Sequence, residues 1–176
     1  MISKRILVCI TTLAALTSVQ IASADVMVWF DPASPSVGVG DTVAVDIMAN
    51  FDDPVVGWGI DLVIDQPGYA DWVNTTIGGA WDATTTLDGD GLAGLNFPNA
   101  QSGSVLLATV TFEGLAIGQT PLILGAGPEE DEGFLLESGV LAENIQFIPG
   151  CLTVIPEPGG IALLSLVGLA TASRRH

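Results

Sequence analysis

The chain has 176 residues, enough for one modest domain, and its charge is lopsided: twenty Asp and Glu against four Lys and Arg, a formal net charge of −16. The four cations are Lys4, Arg5, Arg174 and Arg175, and the single histidine is His176. Residues 25–155 therefore carry nineteen of the twenty carboxylates, all but Glu157, with no Lys, Arg or His. Such a segment leaves almost no room for a nucleic-acid partner, whose phosphates need cations, and an anionic membrane surface would repel it; divalent cations, neutral sugars and basic protein patches remain.

At the N-terminus Lys4 and Arg5 lead into an apolar stretch at residues 6–16 broken only by Thr11 and Thr12, and Ala22-Ser23-Ala24 follows. A positive start, an apolar middle and small residues at the end have the layout of an export signal, here residues 1–24 with cleavage after Ala24 by signal peptidase. The alternative is a buried first helix. Cys9 lies inside the apolar stretch and not at its end, which argues against a lipoprotein. Cleavage removes Cys9 and leaves Cys151 alone, so no intramolecular disulfide can form.

Residues 25–154 alternate with period two. Val43, Val45 and Ile47 share one face over residues 42–48. Trp58, Ile60, Leu62 and Ile64 do so over 58–65, with Asp61 and Asp65 opposite. Over 105–112, Leu106, Ala108, Val110 and Phe112 fall on one face and Leu107, Thr109 and Thr111 on the other. Residues 121–124, 145–148 and 151–155 add short strands. Turn-forming segments separate them: Gly38-Val39-Gly40-Asp41, Asp52-Asp53-Pro54, Asp88-Gly89-Asp90-Gly91 and Gly125-Ala126-Gly127-Pro128. Short strands with Gly and Pro breaks and no helical period predict an all-β antiparallel sandwich around one core.

Enzymatic chemistry is constrained by what this segment lacks. Ser-His-Asp and Cys-His relays need histidine, zinc sites need His or Cys clusters, and phosphoryl transfer uses Lys or Arg clamps. Paired-carboxylate glycoside hydrolysis is what remains, and among nineteen carboxylates some close pair is inevitable. Asp88-Gly89-Asp90-Gly91 has two readings. It does not fit an EF-hand, since Gly91 at the sixth place puts Thr86 first and Phe97 twelfth. An Asp-Gly hairpin turn is one reading, and a looser calcium site formed by Asp82, Asp88 and Asp90 is the other. The run Glu129-Glu130-Asp131-Glu132 reads as a solvated loop. Tyr69, Trp72 and Trp81 lie in a Gly-, Thr- and Asp-rich stretch, where they either stack on sugar rings or form a second hydrophobic cluster. Trp58, in a strong strand, is expected in the core. Asn74-Thr75-Thr76 is a glycosylation sequon in form only.

The tail mirrors the start. Pro156-Glu157-Pro158 is stiff and extended, because each proline fixes its own φ and biases its predecessor away from helix. Gly159 and Gly160 follow, then an apolar or small run at residues 161–172, then Arg174 and Arg175. The run is short for a membrane span, which needs ~20 residues, but the arginines would hold its end on the cytoplasmic side. The alternative is a buried terminal helix. In order and position these residues resemble a PEP-CTERM sorting signal. The resemblance implies an exosortase that recognises Pro156, Glu157 and Pro158, transient inner-membrane anchoring of residues 155–176 with Arg174 and Arg175 as the stop, and a Gram-negative-type host that builds exopolysaccharide or biofilm.

A second resemblance lies in the body of the chain. Residues 31–47 (DPASPSVGVGDTVAVDI) look like the opening of a cohesin domain, residues 57–65 (GWGIDLVID) like its next strand, and residues 107–122 (LATVTFEGLAIGQTPL) like a later strand and turn. The three fall in the right order, with no match over residues 69–104. The resemblance implies a nine-stranded jelly-roll sandwich related to carbohydrate-binding modules, in a family known for binding dockerin modules. The expectation is an exported, envelope- or matrix-associated module without catalytic residues or cofactor, save the calcium reading above. It would bind a protein module or a polysaccharide. A structural biofilm-matrix protein without a discrete ligand and a small carboxylate-dependent glycosidase are the alternatives.

Overall fold

The computed structural model describes residues 25–84, 91–126 and 132–157. The alternation read from the sequence becomes eleven strands with no helix among the described residues: β1 (Val26–Asp31), β2 (Ser36–Gly38), β3 (Thr42–Ile64), β4 (Ala70–Ile77), β5 (Asp82–Thr84), β6 (Leu92–Leu95), β7 (Gln101–Gly114), β8 (Gly118–Gly125), β9 (Gly133–Leu136), β10 (Ile145–Phe147) and β11 (Gly150–Ile155). The first sheet has the order β10-β1-β3-β7-β4, using the first half of β3. The second is built on the other half. There β6, with β5 outside it, pairs with residues 57–60. β9 pairs with residues 55–59 and β8 with residues 61–64, and β11 and β2 extend the sheet beyond β8. The result is the antiparallel jelly-roll sandwich expected, with eleven strands where the resemblance implies nine.

Proline explains part of that difference. A proline has no N–H to give a ladder. Pro32 and Pro35 separate β1 from β2, and Pro149 separates β10 from β11. The first two and last two strands run parallel and change sheets together: β1 pairs with β10 in the first sheet, β2 with β11 in the second. Backbone bonds continue across the change, from Ile148 N to Val28 O at 2.8 Å and from Cys151 N to Ala33 O at 3.0 Å.

β3 crosses between sheets as well, and here the expected turn at Asp52-Asp53-Pro54 is replaced by strand. The ladder with β7 is irregular between Phe51 and Val55, so the segment is a bulge that bends one strand from sheet to sheet. Its turn residues are all exposed, which is where a proline without N–H does least harm.

Val26, Val28 and Phe30 of β1, Val45, Ile47, Ala49 and Phe51 of β3, Val110 and Phe112 of β7, Leu122 of β8 and Leu152 and Val154 of β11 fill the space between the sheets, each at most 2% exposed. Each large side chain here contributes roughly 1.5–3 kcal/mol of burial. One expected face is shifted. Ile47 pairs with Ala108 but Met48 pairs with Leu106, so Leu107 is a bulged residue. Leu107 is fully buried and Leu106 only partly, the reverse of strict alternation. The segment after β4 exploits this bulge. Gly78 N donates to Leu107 O at 2.7 Å, and a Cβ on Gly78 would collide with the Leu106 carbonyl.

Candidate functional site

Of the aromatic residues considered for sugar stacking, Trp81 is a core residue. It is 6% exposed, stands edge-on to Phe51 and Trp58 with ring centroids 6.3 and 6.2 Å away, and donates its indole N–H to Leu106 O at 3.1 Å. No sugar ring can reach it, and the second-cluster reading holds for this residue. Trp58 is in the core as expected, 4% exposed. Its ring lies on bare backbone: a Cβ on Gly94 would come within 2.7 Å of Trp58 Nε1 and 2.9 Å of Trp81 Cβ. Phe134 completes the cluster, 5.6 Å from Phe51.

Trp72 and Tyr69 are half-buried. Trp72 packs against the core and points its N–H at Thr75 Oγ1, 2.7 Å away. The Tyr69 ring lies against Gly118, where any Cβ would strike it. The structure thus divides the three aromatics between the core and the β4 end of the first sheet.

Asp82 is exposed on β5, opposite Leu95. Asp88 and Asp90 lie outside the described residues; β5 and β6, on either side of them in sequence, pair antiparallel. Among the described residues no group of three or more His, Cys, Asp or Glu is arranged to hold a metal. Glu132 departs from the solvated loop expected of its run: it is 5% exposed, just before β9. Pro156 and Glu157 are exposed and follow directly on β11, which ends one residue past the expected domain boundary. Pro158, Arg174, Arg175, Ala22 and Ala24 lie outside the described residues.

Two outer faces have the geometry of recognition surfaces. On the second sheet the register places Leu95, Gly57, Leu135 and Leu141 in one row across four neighbouring segments. Leu95 is 46% and Leu141 50% exposed, with Phe97 at 75% and Val140 at 58% nearby in sequence. Leu95 Cδ1 and Leu135 Cβ lie 3.2 and 3.9 Å from where a Gly57 Cβ would be. The missing side chain lets them close over the backbone into one apolar ridge. Asp82 stands at one end of the row. A cleft lined by Asp53, Pro54, Leu136, Glu137 and Ser138 adjoins it. The sequence offered little sign of this ridge, because β6 and β9 are four residues each, too short for a period to be counted.

On the first sheet the outward positions are Met27, Trp29 and Asp31 of β1, Asp46, Met48 and Asn50 of β3, and Thr109 and Thr111 of β7. Thr109 Oγ1 donates to Asp46 Oδ1 at 2.7 Å, and Ser104 Oγ to Asn50 Oδ1 at 3.3 Å.

Solved structures to which the chain is similar include cohesin modules. The chain is similar to the cohesin module of a family 33 glycoside hydrolase from Clostridium perfringens (9% identity, TM-score 0.61, covering 76% of this chain and 98% of that one). It is also similar to the seventh ScaB type I cohesin of Pseudobacteroides cellulosolvens (17%, 0.52, 75% and 93%). A third is a type I cohesin–dockerin complex from Clostridium thermocellum (10%, 0.54, 77% and 98%). No protein-family model matches the sequence, and no curated protein matches it significantly. At these identities the likeness is one of fold.

Proposed function

We propose that residues 25–155 form a non-catalytic module that captures a protein partner on the outer face of the second sheet. The observation that carries this reading is the ridge in which Leu95 and Leu135 close over Gly57 and Leu141 follows beside Leu135. A contiguous apolar row with exposed members on an outer sheet face marks a contact surface, and acidic residues at its margin, Asp82, Asp53 and Glu137, favour a partner with cations flanking an apolar centre. A dockerin-like module is the partner class that both the fold and the sequence resemblance favour. Export through residues 1–24 and exosortase processing at Pro156-Glu157-Pro158 would deliver the module to the envelope or matrix. Intact mass of the protein from its host tests the delivery, and retained Arg174 and Arg175 would contradict it.

The binding claim is tested by titrating the full chain against an array of dockerin modules. Saturable binding is expected, and Leu95→Asp should weaken it about 10- to 100-fold, the loss of one buried leucine. Binding indifferent to Leu95→Asp, or no binding to any module, would contradict the assignment.

A further inference from the structure

Three of the four tryptophans are packed into the domain; Trp29 faces the other way. β1 alternates buried Val26, Val28 and Phe30 with outward Met27, Trp29 and Asp31, so the indole lies partly exposed on the outer face of the first sheet. Register fixes its surroundings. Trp29 pairs with Met48, and Met48 with Leu106, giving an apolar row across three strands. One flanking row runs Asp31, Asp46, Thr109, Thr76, and the other Gln146, Met27, Asn50, Ser104.

We propose that this face binds a neutral polysaccharide, with Trp29 as the stacking platform. A pyranose ring presents C–H groups on its faces and hydroxyls on its edge. It therefore needs an apolar plane bordered by hydrogen-bonding groups, the arrangement of an indole between one polar row and one that is polar except for Met27. The bordering groups are uncharged or negative: amides of Asn50 and Gln146, hydroxyls of Ser104 and Thr109, carboxylates of Asp31 and Asp46. Carboxylates accept from sugar hydroxyls as strong, charge-assisted bonds. The absence of Lys, Arg and His from residues 25–155 turns away polymers carrying uronate or sulfate groups, which leaves neutral glycans. A pleated face several strands wide suits an extended polymer more than a single sugar. The surface lies on the sheet opposite the apolar ridge, so this inference stands or falls independently of the protein-capture reading.

Affinity electrophoresis of the full chain tests it, in native gels containing hydroxyethylcellulose, mixed-linkage β-glucan, xyloglucan or galactomannan, with alginate as the anionic control. At least one neutral polymer should retard the protein. Trp29→Ala should weaken that retardation by about tenfold or more, the worth of an aromatic contact of ~1.4 kcal/mol, and Trp29→Phe should keep part of it. Asn50→Ala with Gln146→Ala should weaken it while leaving the indole in place, and Ile117→Ala, away from this face, should migrate as the unaltered chain. Retardation by no neutral polymer, unchanged migration of Trp29→Ala when its melting point is preserved, or stronger retardation by alginate would each overturn the proposal. So would Trp29-dependent binding to a basic protein with no binding to any of the glycans.

Discussion

The outer faces of the two sheets are built on the same alternation and carry different chemistry. On the first sheet the outward residues near Trp29 are Asp31, Asp46, Asn50, Ser104 and Thr109, of which Thr109 bonds Asp46 and Ser104 bonds Asn50 across the ladder. On the second, exposed Leu95 and half-buried Leu135 close over Gly57, with exposed Leu141 next in the row. Burial dictates only the inward half of each strand. The outward half is free to specialise, and in this domain it does so once for polar contact around an aromatic ring and once for an apolar ridge.

The comparison breaks if the scaffold beneath both faces is damaged. Trp81→Ala should cost about 3–5 kcal/mol, the range for deleting a large buried aromatic, and remove binding on both faces together, read by denaturant melts. Gly94→Ala should cost about 1–3 kcal/mol by overpacking, since its methyl would press on Trp58 and Trp81. A Gly94→Ala variant melting like the unaltered chain would mean that the cluster has more room than the distances indicate.

Much of the scaffold was legible because burial writes a period-two pattern. The inward sets of β3 and the end of β7 were readable from Val45, Ile47, Ile60 and Val110 alone. Three features were not. Asp52-Asp53-Pro54 has turn composition, yet tertiary pairing on both sides keeps it extended, with only the ladder irregularity recording the conflict. The bulge at Leu107 depends on the arrival of residues 78–81, a contact distant in sequence. Neighbourhood composition leaves Trp81 open between sugar stacking and a hydrophobic cluster, and says nothing of Trp29. The Val26, Val28, Phe30 alternation of β1 turns Trp29 outward, while the core position of Trp81 comes from contacts distant in sequence.

Charge sharpens the comparison with smaller effects. Nineteen carboxylates and no side-chain cation between residues 25 and 155 mean that repulsion opposes compaction. Sodium chloride should raise the melting temperature by a few degrees as the Debye length shortens to ~10 Å at 0.1 M. No rise would show that the carboxylates are too dispersed to matter. Calcium at matched ionic strength should exceed sodium only if Asp82, Asp88 and Asp90 converge on an ion, and equal effects would leave residues 85–91 as a turn. The smallest expected change is local. Asp31 and Asp46 face each other as a cross-strand pair, and like charges so placed are unfavourable. Asp31→Asn should therefore stabilise the fold by about 0.2–1 kcal/mol, seen as a modest rise in melting temperature.

The most direct measurement of the division between faces is hydrogen exchange on the full chain with and without a captured dockerin-type module. Protein capture on the second sheet predicts slowed exchange in peptides spanning residues 92–97 and 133–142, and no change over residues 26–31 and 145–147. Protection confined to β1 and β10, with β6 and β9 exchanging as in the free protein, would contradict the assignment of the ridge as the protein-binding face.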